Sequence, residues 1–444
     1  MKGFKQFLKW FVLTMVVIFI TMGFMLYPLL RGATGYSAKM LCSGVFVEGL
    51  SQQKVEQREL TAFPFNKVVN TIDYKAKTVK STLLGFVLQT AAYKDEVGAT
   101  LYTDGYSEIN GRVALPGINN DTLPWPQGNA ITDTLPAGID IVGLERFIDQ
   151  KFEKTTRALV VVKDGQLITE KYADGIDEFT PLLGWSMTKS ITAALTGILV
   201  KEGKLAIDDA ALLEEWKDDE RNNITLNNLL QMSSGLAWNE DYSKTSLSDV
   251  SEMLYTKGDM YQYASAFKLE SLPDSVWRYS SGTTNIISGL IRSCFDDYQS
   301  YYQFPQKALF NKIGMQNSII ETDAAGTFVG SSYAYCSARD WARFGMLYLN
   351  NGNWLGEQIL PEWWVKYSTT PASCSLGKYG AQVWLNASQI NIPDMPADVY
   401  FFNGYRGQRV TIIPSKNMVV VGLNSSAEEF DYNSLLSGMM QFFK

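Results

Sequence analysis

For the region beyond residue 140 the sequence predicts an α+β fold, one antiparallel sheet with a helical subdomain inserted into it. Three observations carry this. Residues 157–163 and 166–172 are β-rich runs joined by Asp164-Gly165, a dipeptide that tolerates the positive φ of a tight hairpin. The chain closes on a second hairpin, 408–413 and 418–423 around Pro414-Ser415-Lys416-Asn417. Between the hairpins the apolar spacing is mostly helical. Strands early and late belong to one sheet, and the helices between them are the insertion.

The elements follow in chain order. Lys2, Lys5 and Lys9 precede residues 10–30, which are 21 residues without a charge, and Arg31 follows. About 20 apolar residues suffice to cross a bilayer as a helix. The expectation is therefore a membrane anchor over residues 1–31, with the remainder exported to the periplasm or the exterior. A cleaved leader with secretion is the alternative. Residues 32–138 form an N-terminal extension. Its last part, 115–138, carries Pro116, Pro124, Pro126 and Pro136 and reads as an extended connector. Residues 139–153 are helical in period and open the third region, 139–444. A helix over 337–350 begins with Ser337 and Asp340 in a capping-box pattern, and an amphipathic helix is expected over about 427–443.

Composition narrows the function classes. The 444 residues are 46% hydrophobic and 19% charged, with 11 Trp, 23 Tyr and 23 Phe, ample for a large core. The net charge is −7 and no basic block lies beyond the N-terminus, which excludes nucleic acid as a partner. Cys42, Cys294, Cys336 and Cys374 show no metal-ligand spacing, so no metal or cofactor is expected; their pairing is open, with buried free thiols the plainer reading.

The chain contains no histidine. That removes every Ser-His-Asp, Cys-His and His-metal mechanism, and leaves lysine and tyrosine as bases for a nucleophile. Ser-x-x-Lys occurs four times, at Ser51/Lys54, Ser186/Lys189, Ser265/Lys268 and Ser375/Lys378, so spacing alone decides nothing. Context singles out Ser186/Lys189. The pair opens an apolar helical run, 187–200, that stops at Gly203, whereas the other three show no such helix start. A serine in the first turn meets the positive end of the helix dipole. A lysine three residues on lies on the same face, and burial lowers its pKa toward a neutral, proton-accepting amine.

Two further segments fit this chemistry. Tyr279, in Trp277-Arg278-Tyr279-Ser280-Ser281-Gly282, is placed to relay a proton to a leaving group, although most of the 23 tyrosines are ordinary aromatics. Phe402-Asn403-Gly404-Tyr405-Arg406-Gly407 precedes the penultimate strand, where glycines let backbone approach a ligand and supply an N–H to an oxyanion.

In order and rough spacing, Ser186-Met187-Thr188-Lys189, Tyr279-Ser280-Ser281 and Phe402-Asn403-Gly404 resemble the three motifs of the serine β-lactamase-like hydrolases. That superfamily includes class C β-lactamases, D-alanyl-D-alanine carboxypeptidases, family VIII esterases and 6-aminohexanoate-dimer hydrolase. The resemblance covers about residues 140–444 and includes residues 224–236. It implies a β-lactamase/transpeptidase-like fold with Ser186 as acylated nucleophile, Lys189 as its base and Tyr279 as proton shuttle. It also implies an oxyanion hole made by the backbone N–H groups of Ser186 and Tyr405. Asn239-Glu240-Asp241-Tyr242-Ser243 is similar to a loop of 6-aminohexanoate-dimer hydrolase, which makes Tyr242 a substrate contact. Trp185, Ser281, Asn403, Gly404 and Arg406, in or beside the motifs, are candidate contacts too.

Two departures bear on substrate. Ser281 stands where β-lactamases carry asparagine, and Phe402 stands where they carry the cation that grips a substrate carboxylate. Their loss favours small-molecule esters or linear amides over β-lactams. A D,D-peptidase or weak β-lactamase, and a non-catalytic binding module on the same fold, are the alternatives. The substrate, the role of residues 36–138 and the oligomeric state are not legible.

Overall fold

The computed structural model describes residues 2–106, 115, 122–131, 136–210, 212–242, 248–426 and 430–443. Helix α1 (Lys2–Phe46) opens the chain and α2 (Gln52–Glu59) follows. The expected transmembrane helix is not found: among the described residues no helix is long and apolar enough to cross a membrane. Helix α1 also does not stop at Arg31. It continues to Phe46, and residues 32–44 are buried against the rest of the protein. Ser51 caps α2, accepting from the Lys54 N–H at 3.3 Å, so one of the other Ser-x-x-Lys copies does start a helix. Its lysine, however, is half-exposed and only 3.8 Å from Asp174.

The extension holds a sheet that sequence patterning did not anticipate. Strands β1 (Val69–Asp73), β2 (Thr78–Leu83), β3 (Val87–Lys94) and β4 (Gly98–Tyr102) form an antiparallel meander. One face packs on α1 through Ala38, Leu41, Val79, Ala91, Ala99 and Leu101, where small side chains let helix and sheet approach closely. Of the expected connector, residues 122–131 strap across the third region: Arg343 donates to the carbonyls of Pro126 at 2.8 Å and Gly128 at 2.6 Å. Residues 116–121 and 132–135 lie outside the described residues.

Next come α3 (Ile141–Lys151), capped by Asp140, then β5 (Thr156–Lys163) and β6 (Gln166–Tyr172). Asp164 and Gly165 turn that hairpin with φ of 51° and 76°, the left-handed pair their chemistry permits. Helices α4 (Thr188–Lys201), α5 (Asp249–Thr256) and α6 (Ser281–Ser293) belong to the insertion, and α7 (Ala338–Leu349) starts on Ser337, which accepts from the Asp340 N–H at 3.2 Å. Strands β7 (Trp384–Leu385), β8 (Tyr400–Gly404), β9 (Gln408–Ile413) and β10 (Met418–Asn424) complete a six-stranded antiparallel sheet in the order β7-β8-β9-β10-β5-β6. Helix α8 (Tyr432–Met439) ends the fold; it is shorter than expected, and residues 427–429 lie outside the described residues.

The sheet is apolar on both faces, as two-sided burial requires. Leu159 and Val161 of β5, with Val420 of β10, face α3 and α8. Val160 and Val162, with Val419 and Val421, face α7 and the helical insertion. The register pairs Val420 with Val161 and Val419 with Val162, so like faces align. All four cysteines are free; Cys42 and Cys336 are buried.

Candidate active site

Ser186 sits where the sheet meets the insertion. The two-residue strand Leu182–Leu183 pairs with residues 335–336, and a single turn, Trp185–Met187, leads into α4. Trp185 takes φ of 48°, a left-handed conformation that costs a bulky residue strain and lifts Ser186 out of the strand. The turn is held by the Thr188 hydroxyl donating to the Trp185 carbonyl at 2.6 Å and accepting from the Ala334 N–H at 2.9 Å. Gly184 and Gly404 are both spatial requirements. A Cβ on Gly184 would lie 2.3 Å from the Trp341 ring, and one on Gly404 would lie 2.2 Å from the Gly184 carbonyl oxygen. The end of β8 therefore lies directly against the turn that carries Ser186.

Lys189, one helical turn along, is 1% exposed. Its Nζ lies 3.1 Å from Ser186 Oγ, 3.0 Å from Ser281 Oγ and 2.9 Å from the Ser331 carbonyl oxygen. Burial disfavours the ammonium and lowers the pKa to about 8, with the Glu240 carboxylate acting in the opposite direction. An amine in this state is neutral in about a tenth of molecules at pH 7, far more than an ordinary lysine, and can take a proton.

Tyr279 joins them from the segment before α6. Its phenol is close enough to Ser186 and Trp384 for both to favour the ionised form, and the Lys189 amine sits 4.9 Å from the centre of its ring. An aromatic wall of Trp277, Tyr379 and Trp384 fixes the ring, with centroids 5.3 Å from Trp384 and 5.8 Å from Tyr379. Burial and then Glu240 push the phenol well above its usual pKa, so it rests protonated, a donor rather than a phenolate.

Ser281, which stands in the asparagine place, is bonded on both sides: it contacts Lys189 and donates to Glu240 Oε1 at 2.5 Å. Glu240 also accepts from the Ser281 N–H at 2.8 Å and from Trp238 Nε1 at 2.5 Å. Tyr242 stacks on Tyr405, with centroids 5.3 Å apart and planes at 16°, and its hydroxyl reaches Glu240 Oε1 at 3.4 Å. Trp185 meets the Tyr405 ring edge-on at 5.7 Å. The structure thus gathers Ser186, Lys189, Tyr279, Ser281, Tyr242, Trp185, Gly404 and Tyr405. It directs two other candidates elsewhere. Asn403 accepts from Arg409 Nε at 2.9 Å. The Arg406 guanidinium is committed to Glu59 of α2, with the Tyr36 hydroxyl 3.4 Å away. Phe402 is fully buried against Phe344 and Tyr348.

Sequence reasoning missed Glu240, the Ser331 carbonyl and the aromatic wall. Glu240 was within reach of it, since it lies two residues before Tyr242 in a segment already marked. Trp277 lies in the Tyr279 segment, whereas Tyr379, Trp384 and the carbonyl come from segments about 150 to 200 residues beyond Ser186, and no local spacing announces them.

A fold of this topology with this serine–lysine–tyrosine cluster defines a serine hydrolase. The chain belongs to the beta-lactamase family, whose model matches residues 144–435. A 6-aminohexanoate-dimer hydrolase from Paenarthrobacter ureafaciens is 22% identical over 323 residues, covering 66% of this chain and 79% of that one. Among solved structures, a Bacillus anthracis protein provisionally assigned as a 6-aminohexanoate-dimer hydrolase superposes with a TM-score of 0.58 at 25% identity, covering 74% of this chain and 90% of its own. A family VIII carboxylesterase shares the fold, with a TM-score of 0.54 at 13% identity over 71% of this chain and all of that one.

Proposed function

We propose that this serine hydrolase works through an acyl-enzyme on Ser186 and cleaves carboxylic esters or linear amides. The observation that supports it most is the buried Lys189 amine, 3.1 Å from the Ser186 hydroxyl with its pKa lowered to about 8. In this reading the neutral amine takes the Ser186 proton as Oγ bonds to the substrate carbonyl carbon. In this reading the resulting oxyanion lies against the backbone N–H groups of Ser186 and Tyr405, which the close approach of Gly404 to the Gly184 carbonyl supports. Lys189 and the protonated Tyr279 then pass the proton to the leaving oxygen or nitrogen as the scissile bond breaks. Water repeats the sequence in reverse, with Lys189 again as base, and releases the acid.

The substrate class rests on what surrounds this cluster. The cation that would grip a carboxylate is replaced by the buried Phe402, and Arg406 is held by Glu59. The exposed Tyr242–Tyr405 stack offers an apolar, polar-edged surface suited to a short uncharged chain. The names of the relatives, a hydrolase of a linear amide dimer and a carboxylesterase, agree with it. The lysines ahead of the uncharged run support export of the catalytic part, which cell fractionation with an activity readout tests.

The test of substrate class is a panel of p-nitrophenyl esters, linear 6-aminohexanoate amides, D-alanyl-D-alanine peptides and nitrocefin. Turnover of esters or linear amides, lost in Ser186→Ala, is the expected result. Preferred turnover of D-peptides or nitrocefin would move the assignment to a peptidase or β-lactamase.

A further inference from the structure

The extension touches the catalytic centre through a chain of buried charges. Glu48, just after α1, accepts from Arg157 of β5 at 2.8 Å, from Arg58 of α2 at 2.7 Å, and from the backbone N–H of Leu183 at 3.3 Å. Leu183 lies three residues before Ser186. Arg58 also pairs with Glu59 at 2.7 Å, and Glu59 in turn holds the Arg406 guanidinium and accepts from the Tyr36 hydroxyl at 2.9 Å. Arg406 follows Tyr405 directly and has φ of 61°, a left-handed conformation that a non-glycine residue keeps only when its surroundings impose it. Side-chain exposure is 1% for Glu48 and 9% for Glu59. Burial alone would raise both carboxyls, but the guanidinium groups around them hold both below the usual carboxylate range.

The two acidic residues therefore each grip one of the backbone segments that carry the oxyanion donors. Glu48 is bonded to the approach to Ser186, and Glu59 to the loop of Tyr405. Both precede residue 144, where the family match begins.

We propose that Glu48 and Glu59 of the N-terminal extension are positioning residues for the oxyanion hole, setting the spacing between the Ser186 and Tyr405 N–H groups from outside the hydrolase domain. This rests on the acyl-enzyme reading above. The donors themselves stay in the hydrolase domain, and the extension supplies the charges that keep the Tyr405–Arg406 turn in its left-handed form against the nucleophile turn. A displacement of about 1 Å at such a site is worth up to about 100-fold in rate, and loss of one oxyanion donor about 10²–10³-fold.

The experiment uses the full chain with a p-nitrophenyl ester as substrate and a phenylboronic acid as tetrahedral mimic. Glu59→Gln and Glu48→Gln should each lower kcat by about 10- to 100-fold with KM within about threefold, because the lost interaction is one made in the transition state. Boronate affinity should fall in parallel with kcat/KM, and Glu59→Asp should recover part of both. Glu321→Gln is the control. It cuts another buried tie of the extension, the Lys39–Glu321 pair, and should lower the thermal midpoint while leaving kcat in place. Should Glu59→Gln fail to fold, Arg406→Lys carries the same expectation, since an ammonium does not reproduce the guanidinium fork. A folded Glu59→Gln with unchanged kcat and boronate affinity overturns the proposal, and so does an equal kcat loss in Glu321→Gln. Turnover that survives Ser186→Ala is a separate result, and it sinks the acyl-enzyme reading instead.

Discussion

Replacing Glu240 with glutamine removes the carboxylate that, among the described residues, works against a neutral Lys189. A single hydroxyl, that of Ser281, separates the two groups, with contacts of 3.0 Å to Lys189 and 2.5 Å to Glu240. Opposite unit charges about 5 Å apart attract by about 3 kcal/mol at an effective dielectric of about 20, and by about 1 kcal/mol at about 60. The lower figure applies because Glu240 is only partly buried. At about 1.4 kcal/mol per pH unit, removing the carboxylate should drop the Lys189 pKa by close to one unit. The sign follows from the role of the amine. The base must be unprotonated, so kcat/KM of the wild type should rise with pH to a plateau, with a midpoint near the value of about 8. Glu240→Gln should move that rising limb to lower pH. Relative to its own plateau, the variant should then be ahead of the wild type near pH 6.5 and level with it above about pH 9. The assay is initial-rate ester hydrolysis from pH 5 to 10 in buffers of constant ionic strength. A limb that stays in place or moves to higher pH would refute Lys189 as the titrating base under Glu240 control.

Other perturbations test neighbouring parts of the site. Ser186→Ala and Lys189→Ala should each abolish nearly all turnover, and the double variant should be little worse than either, as expected of groups that act as one unit; ester kinetics measure it. Tyr279→Phe should reduce kcat by about 10²–10⁴-fold, the usual share of proton transfer in the transition state, and intact turnover would remove the shuttle role. Gly404→Ala places a methyl 2.2 Å from the Gly184 carbonyl, so β8 must move off the nucleophile turn. The expected cost is about 1–3 kcal/mol in stability, read by denaturant melts, with a loss of about 100-fold in kcat/KM.

Legibility of the sequence followed how local each signal is. Asp164-Gly165 marks its hairpin because the turn chemistry sits in two adjacent residues, and Ser186 with Lys189 sits on one helical turn. The second hairpin was readable for the same reason, as β9 and β10 are joined by a four-residue turn. The extension's meander was not readable. Its strands are short, and only β2 and the start of β3 alternate cleanly between buried and exposed positions. The uncharged run 10–30 read as a membrane span because hydropathy alone does not reveal that the same helix goes on to pack its C-terminal part. Ser51 read as a chance neighbour of Lys54, because a helix of eight polar-rich residues lacks the apolar stripe that announces one. Glu240, Ser331 and Trp384 come to Lys189 and Tyr279 only through tertiary structure. The same is true of Glu59, which meets Arg406 across 347 residues of chain.

Covalent capture of Ser186 as a function of pH tests the central claim most directly. Full-length protein treated with a fluorophosphonate should take up one adduct per chain by intact mass, mapped to the peptide carrying Ser186. The labelling rate should climb through a midpoint near 8, where the Lys189 amine loses its proton. An adduct on another residue, or Ser186 labelling that is equally fast in Lys189→Ala, would contradict the account.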